Sequence, residues 1–226
     1  IVKPGPYILA EYTGAGIPAW FIDKYKNECE VKNSQGSAGQ NDVISFMHPV
    51  FLAYVKKWYD NILPIIKERQ ISNDGNILMM QVCNEVGVFT WLCKQADYSK
   101  HCIIMYREFL LNKYKNIENL NKIYKEEYKD FSLVEAPTDQ GYEYNTKFDF
   151  VKDVDWHEFW RIYYVQYLRL LMNEIRERGV DLQFYHNLPG WIYGSAFEFP
   201  VNISMYNELN KDYPDIILGV DHIPEN

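Results

Sequence analysis

The sequence has few cysteines, no excess of positive charge and no long apolar run. Its 226 residues include four cysteines, and none of them forms the Cys-x-x-Cys pair of a zinc knuckle or redox site. Lys and Arg number 23 against 31 Asp and Glu, and the resulting net charge of −8 argues against binding to nucleic acid or to an anionic membrane. No apolar run approaches the roughly 18 residues that a membrane span requires.

Metal and cofactor motifs are also lacking. The five histidines lie far apart in the chain, and no predicted strand is followed by a glycine-rich phosphate loop, which disfavours a Rossmann or P-loop fold. We therefore expect no metal and no cofactor. Scattered cysteines are typical of thiols in a reducing compartment, which favours a cytoplasmic location.

Apolar segments that alternate with helical patterns are abundant. Hydrophobic residues make up 47% of the chain and aromatic residues 16%, as in a folded globular protein. Apolar segments typical of buried strands lie at 1–10, 77–82, 182–186 and 216–220. Helical patterns lie at 49–70, 98–115, 117–128, 156–178 and 204–211, whereas 11–48 reads mostly as loop. This alternation predicts a parallel α/β fold.

Each predicted strand ends in a polar residue or cluster, at Glu11, Asn84-Glu85, His186-Asn187 and Asp221-His222. Ligands of parallel α/β folds gather at the carboxyl ends of the strands. Because phosphate-loop folds are disfavoured, a (β/α)8 TIM barrel is the leading architecture. A barrel needs eight strands, so we expect residues 1–226 to be part of one barrel domain. The start at Ile1, without Met, is consistent with that expectation.

The strongest candidate site is the segment 81–87, which contains Asn84 and Glu85 just past a predicted buried strand. A carboxyl group at that place is partly desolvated, which raises its pKa and suits it to general acid catalysis at neutral pH. The Asn84 amide offers donors and an acceptor to a hydroxyl-rich ligand. From spacing alone, a glutamate that caps the next loop or helix is an equally good interpretation.

Several segments resemble glycoside hydrolase family 35 β-galactosidases. Residues 3–12 and 16–20 are similar to that family's Arg-Pro-Gly-Pro-Tyr-Ile-x-Ala-Glu-Trp and Gly-Leu-Pro-x-Trp segments, and 81–87 to its Gln-x-Glu-Asn-Glu-Tyr-Gly. Residues 215–224 resemble a strand end of the related family 42 enzymes. This sequence departs from the family pattern at Lys3, which replaces Arg, and at Cys83, which replaces Glu.

The resemblance implies a retaining, β-galactosidase-like glycoside hydrolase on a (β/α)8 barrel, with about strands 3 to 6 in this chain. Glu85 would be the general acid/base and Asn84 would bind the sugar 2-hydroxyl. Ala10 and Glu11 would hold other hydroxyls. The nucleophile follows the family's seventh strand, so we expect it beyond Asn226. The implied partner is a β-linked oligosaccharide or glycoside, and no oligomeric state is indicated.

Three more residues near predicted strand ends are candidates for substrate binding: Asn187, Trp191 and Asp221. The indole of Trp191 suits stacking on the C–H face of a pyranose, although a Trp that closes the core is the alternative interpretation. Asp221 is a candidate partner of sugar hydroxyls, or else forms a helix cap or a loop salt bridge.

A non-catalytic carbohydrate-binding barrel, that is a degenerate glycosidase, is the alternative to an enzyme. Cys83 and the lack of an assigned nucleophile motivate it. Glu198 and Glu225 are candidates for the nucleophile by residue type only, and neither is assigned.

Overall fold

The computed structural model describes residues 1–7, 16–38, 43–86, 97–137, 147–189 and 203–221. Three candidate residues lie outside these ranges: Ala10, Glu11 and Trp191. Asp221 is described only as the last residue of a strand. Asn84, Glu85 and Asn187 are described in full.

The described strands form one parallel sheet in chain order: β1 (Met79–Gln81), β2 (Gln183–Pro189) and β3 (Ile217–Asp221). The first segment of the chain lies along the free side of β1. Val2 donates its N–H to the Met79 carbonyl at 3.0 Å and accepts the Gln81 N–H at 2.9 Å. The four predicted strand segments therefore lie side by side in the order of the sequence, which is the arrangement of part of a (β/α)8 barrel.

The described helices connect these strands. Two precede β1, three lie between β1 and β2, and one lies between β2 and β3: α1 (Ala19–Cys29), α2 (Pro49–Glu68), α3 (Lys100–Tyr114), α4 (Ile117–Tyr124), α5 (Lys147–Glu177) and α6 (Ile203–Leu209). Short 3-10 turns lie at Ile71–Asn73 and Phe131–Leu133. Among the helical residues described, no helix has the length and apolar character needed to cross a membrane.

Two helical segments differ from the sequence-based prediction. Helix α1 lies in the segment predicted mostly as loop; its N-cap, Pro18, makes no side-chain hydrogen bond, so the usual capping signal is missing. Helix α5 begins at Lys147, well before the predicted start at Trp156. The sequence-based prediction missed its first turns, in which charged residues alternate with short apolar stretches. The other helices lie within the predicted segments or within a residue of them.

The ends of β2 and β3 also differ from the prediction. Pairing with β3 extends β2 to Pro189, so Asn187 lies inside the strand, not after it. Asp221 is likewise the last residue of β3, not a residue beyond it. Gly219 allows this pairing, because a Cβ at that position would lie 2.1 Å from the hydroxyl oxygen of Tyr185.

The core is largely aromatic, and α5 supplies much of it. It buries a row of aromatic side chains, all of which except Tyr167 are in ring contact with another member of the row: Trp156, Phe159, Trp160, Tyr163, Tyr164 and Tyr167. Tyr167 stacks on Phe46 at 4.7 Å between ring centroids. This packing attaches α5 to the segment that precedes α2, and so fixes the helices around the sheet.

Apolar residues at helical spacing in the sequence of α2 predict one buried face, and the structure divides them between two environments: Phe51, Tyr54, Val55, Trp58, Ile62, Ile65 and Ile66. Phe51, Val55 and Ile66 are buried in the core, as expected, whereas Trp58 is 48% exposed. Trp58 borders a mostly apolar cavity of about 440 Å³ between residues 4–6, α1 and α2. Asn84, Glu85 and Asn187, the candidate site residues that are described in full, do not line this cavity.

Asp97, which precedes α3, is completely buried. Its Oδ1 accepts the backbone N–H of Ser99 at 2.8 Å and of Lys32 at 3.3 Å. Burial raises the pKa of this carboxyl, and the hydrogen bonds from Ser99 and Lys32 offset only part of that effect. The charged carboxylate is therefore less favourable in the folded protein than in the unfolded chain.

We expect Asp97→Asn to stabilise the protein near pH 7.5. A raised folded-state pKa means that the wild type loses stability as pH rises above the unfolded-state pKa of about 4. The amide keeps an acceptor oxygen without the charge. Urea midpoints of the variant and the wild type should therefore differ more at pH 7.5 than at pH 4.5. Asp215→Asn removes the same charge at an exposed position and serves as the control; an equal pH dependence in both variants would contradict the expectation.

Candidate active site

The turn that follows β1 forms the candidate site. The N–H of Val82 donates to the Tyr185 carbonyl at 2.8 Å, which ends the pairing of β1 with β2. Cys83 and Glu85 then adopt left-handed backbone conformations, with φ of 59° and 40°. Such conformations cost non-glycine residues on the order of 1 kcal/mol and cluster at functional sites. They turn the chain sharply, so that Asn84 and Glu85 lie at the carboxyl end of the sheet.

Glu85 is only 8% exposed. Its backbone N–H donates to Oδ1 of Asn187 on β2, at 3.4 Å. Glu85 is therefore largely shielded from solvent, and its backbone is attached to the neighbouring strand.

Three amide side chains meet beside Glu85. Nε2 of Gln81 donates to Oδ1 of Asn84 and to Oδ1 of Asn187, each at 2.6 Å. All three side chains are 1% exposed. The site therefore combines one carboxyl group with a connected set of amides, which suits a ligand with many hydroxyl groups.

His186 and Cys83 support the walls of the site. Nδ1 of His186 lies 2.8 Å from the Val82 carbonyl and holds the end of β1 against β2. Cys83 Sγ lies 3.6 Å from the hydroxyl oxygen of Tyr167. Burial raises the pKa of the Cys83 thiol to about 11. The residue that replaces the Glu of the family 35 pattern is therefore neutral at neutral pH.

The structure thus brings together three of the residues singled out from the sequence, Asn84, Glu85 and Asn187. It adds Gln81, which lies in the same sequence segment but was not identified as a site residue. Its position as the last residue of β1 was the available signal. In the part of the chain that is described, no three His, Cys, Asp or Glu side chains are grouped as metal ligands.

These features define a class of protein. A parallel sheet with a buried glutamate and clustered amides at its carboxyl edge is the arrangement of a (β/α)8-barrel protein whose ligand site lies at that edge. The model of glycoside hydrolase family 42, described as beta-galactosidase, matches residues 3–210. The chain belongs to that family. The expected assignment to family 35 is not supported and is corrected to family 42.

Relatives extend this comparison. The β-1,2-glucosyltransferase of Ignavibacterium album is 44% identical over 225 residues, which cover 100% of this chain and 31% of that protein. The exo-β-D-glucosaminidase of Pyrococcus horikoshii is 29% identical over 187 residues, 78% of this chain and 23% of that protein. The chain therefore spans less than a third of either relative.

A solved structure supports the fold. The β-galactosidase of the psychrophilic Marinomonas ef1 matches 92% of this chain and 29% of its own, with a TM-score of 0.66 and 18% identity. The described strands and helices accordingly form part of a (β/α)8 barrel, as the sequence predicted.

Proposed function

We propose that this chain carries the acid/base half of the active site of a retaining enzyme that acts on β-linked glycosides, with Glu85 as the general acid/base. The observation that carries the proposal is the position of Glu85, buried in a left-handed turn at the carboxyl end of β1 and bound to Asn187 of β2. A residue so placed is largely shielded from solvent, and its backbone is fixed relative to the neighbouring strand.

In the first step Glu85 donates its proton to the glycosidic oxygen while the bond from that oxygen to the anomeric carbon breaks. A second carboxylate, about 5 to 5.5 Å from the first in retaining enzymes, forms a bond to the anomeric carbon from the opposite face. The resemblance implies that this nucleophile follows the seventh strand of the barrel, and we assign no residue of this chain to it.

In the second step Glu85, now a carboxylate, removes a proton from an incoming hydroxyl group. The oxygen of that hydroxyl group attacks the anomeric carbon at the same time. The nucleophile leaves and the β-configuration is restored. Asn84 and Asn187 are proposed to bind sugar hydroxyls during both steps, Asn84 the 2-hydroxyl. Ala10, Glu11, Trp191 and Asp221 stay candidates for the remaining sugar contacts.

The incoming hydroxyl group belongs either to water or to a second sugar. A glycosidase of the β-galactosidase type, as the resemblance implies, uses water. Transfer to a sugar is the second candidate function, because the relative that is 44% identical over all of this chain is named a β-1,2-glucosyltransferase. The same covalent intermediate serves both reactions.

The test is to incubate the complete gene product with aryl β-glucoside, β-galactoside and β-glucosaminide and to measure released phenol and free sugar separately. Equal amounts indicate hydrolysis, and an excess of phenol that grows with added sugar acceptor indicates transfer. Aryl α-glycosides should not react. If none of the β-glycosides reacts, or if the α-anomers react instead, the proposal is contradicted.

Replacing Asn84 with Ala should lower kcat/KM for a β-glycoside by about 100-fold, because a buried hydrogen bond to the sugar is lost at the transition state. A 2-deoxy substrate lacks the hydroxyl in question and should lose far less. Asn121→Ala is the control, because the described hydrogen bonds of the Asn121 side chain go only to the backbone of Tyr128, away from the site. An equal loss on both substrates would contradict the assigned contact.

A further inference from the structure

We propose that Gln81 is a positioning residue, which fixes the orientation of the Asn84 and Asn187 amides so that both present their NH2 groups to the bound sugar. The proposal rests on the proposed function of the site, and it assigns a role to a residue that does not touch the substrate.

The hydrogen bonds define the orientation. The two hydrogens of Gln81 Nε2 go to Oδ1 of Asn84 and Oδ1 of Asn187, each at 2.6 Å. An amide nitrogen can only donate, so both asparagines must turn their oxygens toward Gln81. Rotating either asparagine amide by half a turn would place two NH2 groups against each other in a buried site, which is unfavourable.

The backbone of Gln81 is held on both sides. Its backbone N–H donates to Val2 at 2.9 Å, and its Cα is paired with Tyr185 on the other side. The residue is buried, with an exposure of 1%. Gln81 therefore acts as a fixed point at the end of β1, to which the turn residue Asn84 and the β2 residue Asn187 are both attached.

The oxygen of Asn187 is used a second time, because it also accepts the backbone N–H of Glu85 at 3.4 Å. The orientation that Gln81 imposes on Asn187 is thus the one that lets Asn187 hold the Glu85 backbone. Gln81 consequently connects the sugar-binding amides with the position of the proposed acid/base.

The orientation of the two asparagine amides determines which hydrogen-bonding group the sugar must provide. With their oxygens occupied, Asn84 and Asn187 present hydrogen-bond donors, and these recognise a sugar oxygen as an acceptor. Gln81 therefore contributes to selectivity for a sugar with an oxygen at the position that Asn84 contacts, which we take as the 2-position.

Two substitutions separate this role from packing. Gln81→Met keeps the length of the side chain and removes both hydrogen bonds. Gln81→Glu replaces the donor with an acceptor, so the asparagines would turn their NH2 groups toward it and present oxygens to the sugar. Gln70→Met is the matched control, because Gln70 is a buried glutamine, 3% exposed, that accepts the Asp181 N–H at 3.0 Å.

The kinetic measurement uses the complete gene product with a β-glycoside and its 2-deoxy analogue. We expect Gln81→Met to lower kcat/KM for the 2-hydroxy substrate by about 10-fold, since it acts through hydrogen bonds of ordinary strength. The 2-deoxy substrate should change by less than a factor of two or so. Gln81→Glu should lower kcat/KM for the 2-hydroxy substrate at least as far as Gln81→Met does. Gln70→Met should leave kcat/KM for that substrate unchanged.

A binding measurement completes the test. In a Glu85→Gln background, calorimetry measures the affinity for a β-linked disaccharide and for its 2-deoxy analogue. Gln81→Met should lower the affinity for the first sugar and leave the affinity for the second nearly unchanged. Equal losses on the two sugars, or no loss in folded Gln81 variants, would overturn the role of Gln81 while leaving Glu85 in place. A wild type that neither reacts with nor binds any β-glycoside would instead overturn the proposed function, and this inference with it.

Discussion

Glu85→Gln in the complete gene product is expected to lower kcat/KM for an aryl β-glycoside with a weakly acidic phenol by about 10²- to 10⁴-fold, the range typical of general acid catalysis. The amide has nearly the same shape as the carboxyl group but cannot donate the proton that the departing oxygen needs. A substrate with a strongly acidic phenol departs without protonation, so its first step should be much less affected.

The pH profile gives a second signature of the same residue. A general acid must be protonated, so activity of the wild type should fall as pH rises through the pKa of the free enzyme's acid. This decline should be absent from the residual activity of Glu85→Gln. Steady-state kinetics across pH 5 to 9 with both types of phenol would measure it.

A buried glutamate outside the site provides the control. Glu30 is 6% exposed, similar to the 8% of Glu85, and its carboxylate pairs with Lys32. Glu30→Gln should leave kcat/KM within a few-fold of the wild type. Equal activity of Glu85→Gln and the wild type, on both kinds of phenol, would remove Glu85 from the mechanism.

Asp155→Ala is expected to give the largest loss of stability among the substitutions considered, about 3 to 5 kcal/mol in the free energy of unfolding. Asp155 is 1% exposed and joins three helices. It binds Nζ of Lys113 at 2.8 Å and accepts the hydroxyl groups of Tyr114 and Tyr124 at 2.6 and 2.7 Å. Alanine would leave these partners without their common acceptor.

The tyrosines reinforce this network. Burial is the main cause that raises the pKa of both Tyr114 and Tyr124, and the Asp155 carboxylate raises both further. Both therefore stay protonated and donate to Asp155 throughout the usual pH range. Asp155→Asn keeps an acceptor oxygen and should cost less than Asp155→Ala, since only the charge is lost.

An exposed ion pair is the matched control for Asp155. Asp60 lies 2.6 Å from Arg178, and its side chain is 59% exposed. Asp60→Ala should change the free energy of unfolding by less than about 1 kcal/mol. Denaturant unfolding of the variants gives the comparison, and a similar effect of both alanine substitutions would contradict the structural role assigned to Asp155.

The sequence predicts the sheet well because the strand segments are largely apolar and are separated from one another by helices. The sequence also predicts the location of Glu85, because the carboxyl ends of parallel strands meet at one edge of the sheet and Glu85 follows such an end. It does not predict α1, whose N-cap Pro18 lacks the side-chain hydrogen bond of a usual cap. Nor does it predict the extent of β2, which pairing with β3 determines.

Gln81 illustrates what sequence patterns cannot supply. A glutamine at the end of a strand has no fixed meaning, and the same residue could simply pack there. Its role follows from two hydrogen bonds, one to Asn84, which is 3 residues away in the chain, and one to Asn187, which is 106 residues away. Such contacts depend on the parallel pairing of β1 with β2, which places Tyr185 beside Gln81 and brings Asn187 within reach.

The most direct test of the account is chemical rescue of Glu85→Ala with azide, using a dinitrophenyl β-glycoside and the complete gene product. The acidic phenol lets the glycosyl-enzyme form without a proton donor, and azide attacks it without a general base. We predict that azide raises the rate and that the product is the β-glycosyl azide. No acceleration by azide, or an azide product of α-configuration, would contradict Glu85 as the acid/base of a retaining enzyme.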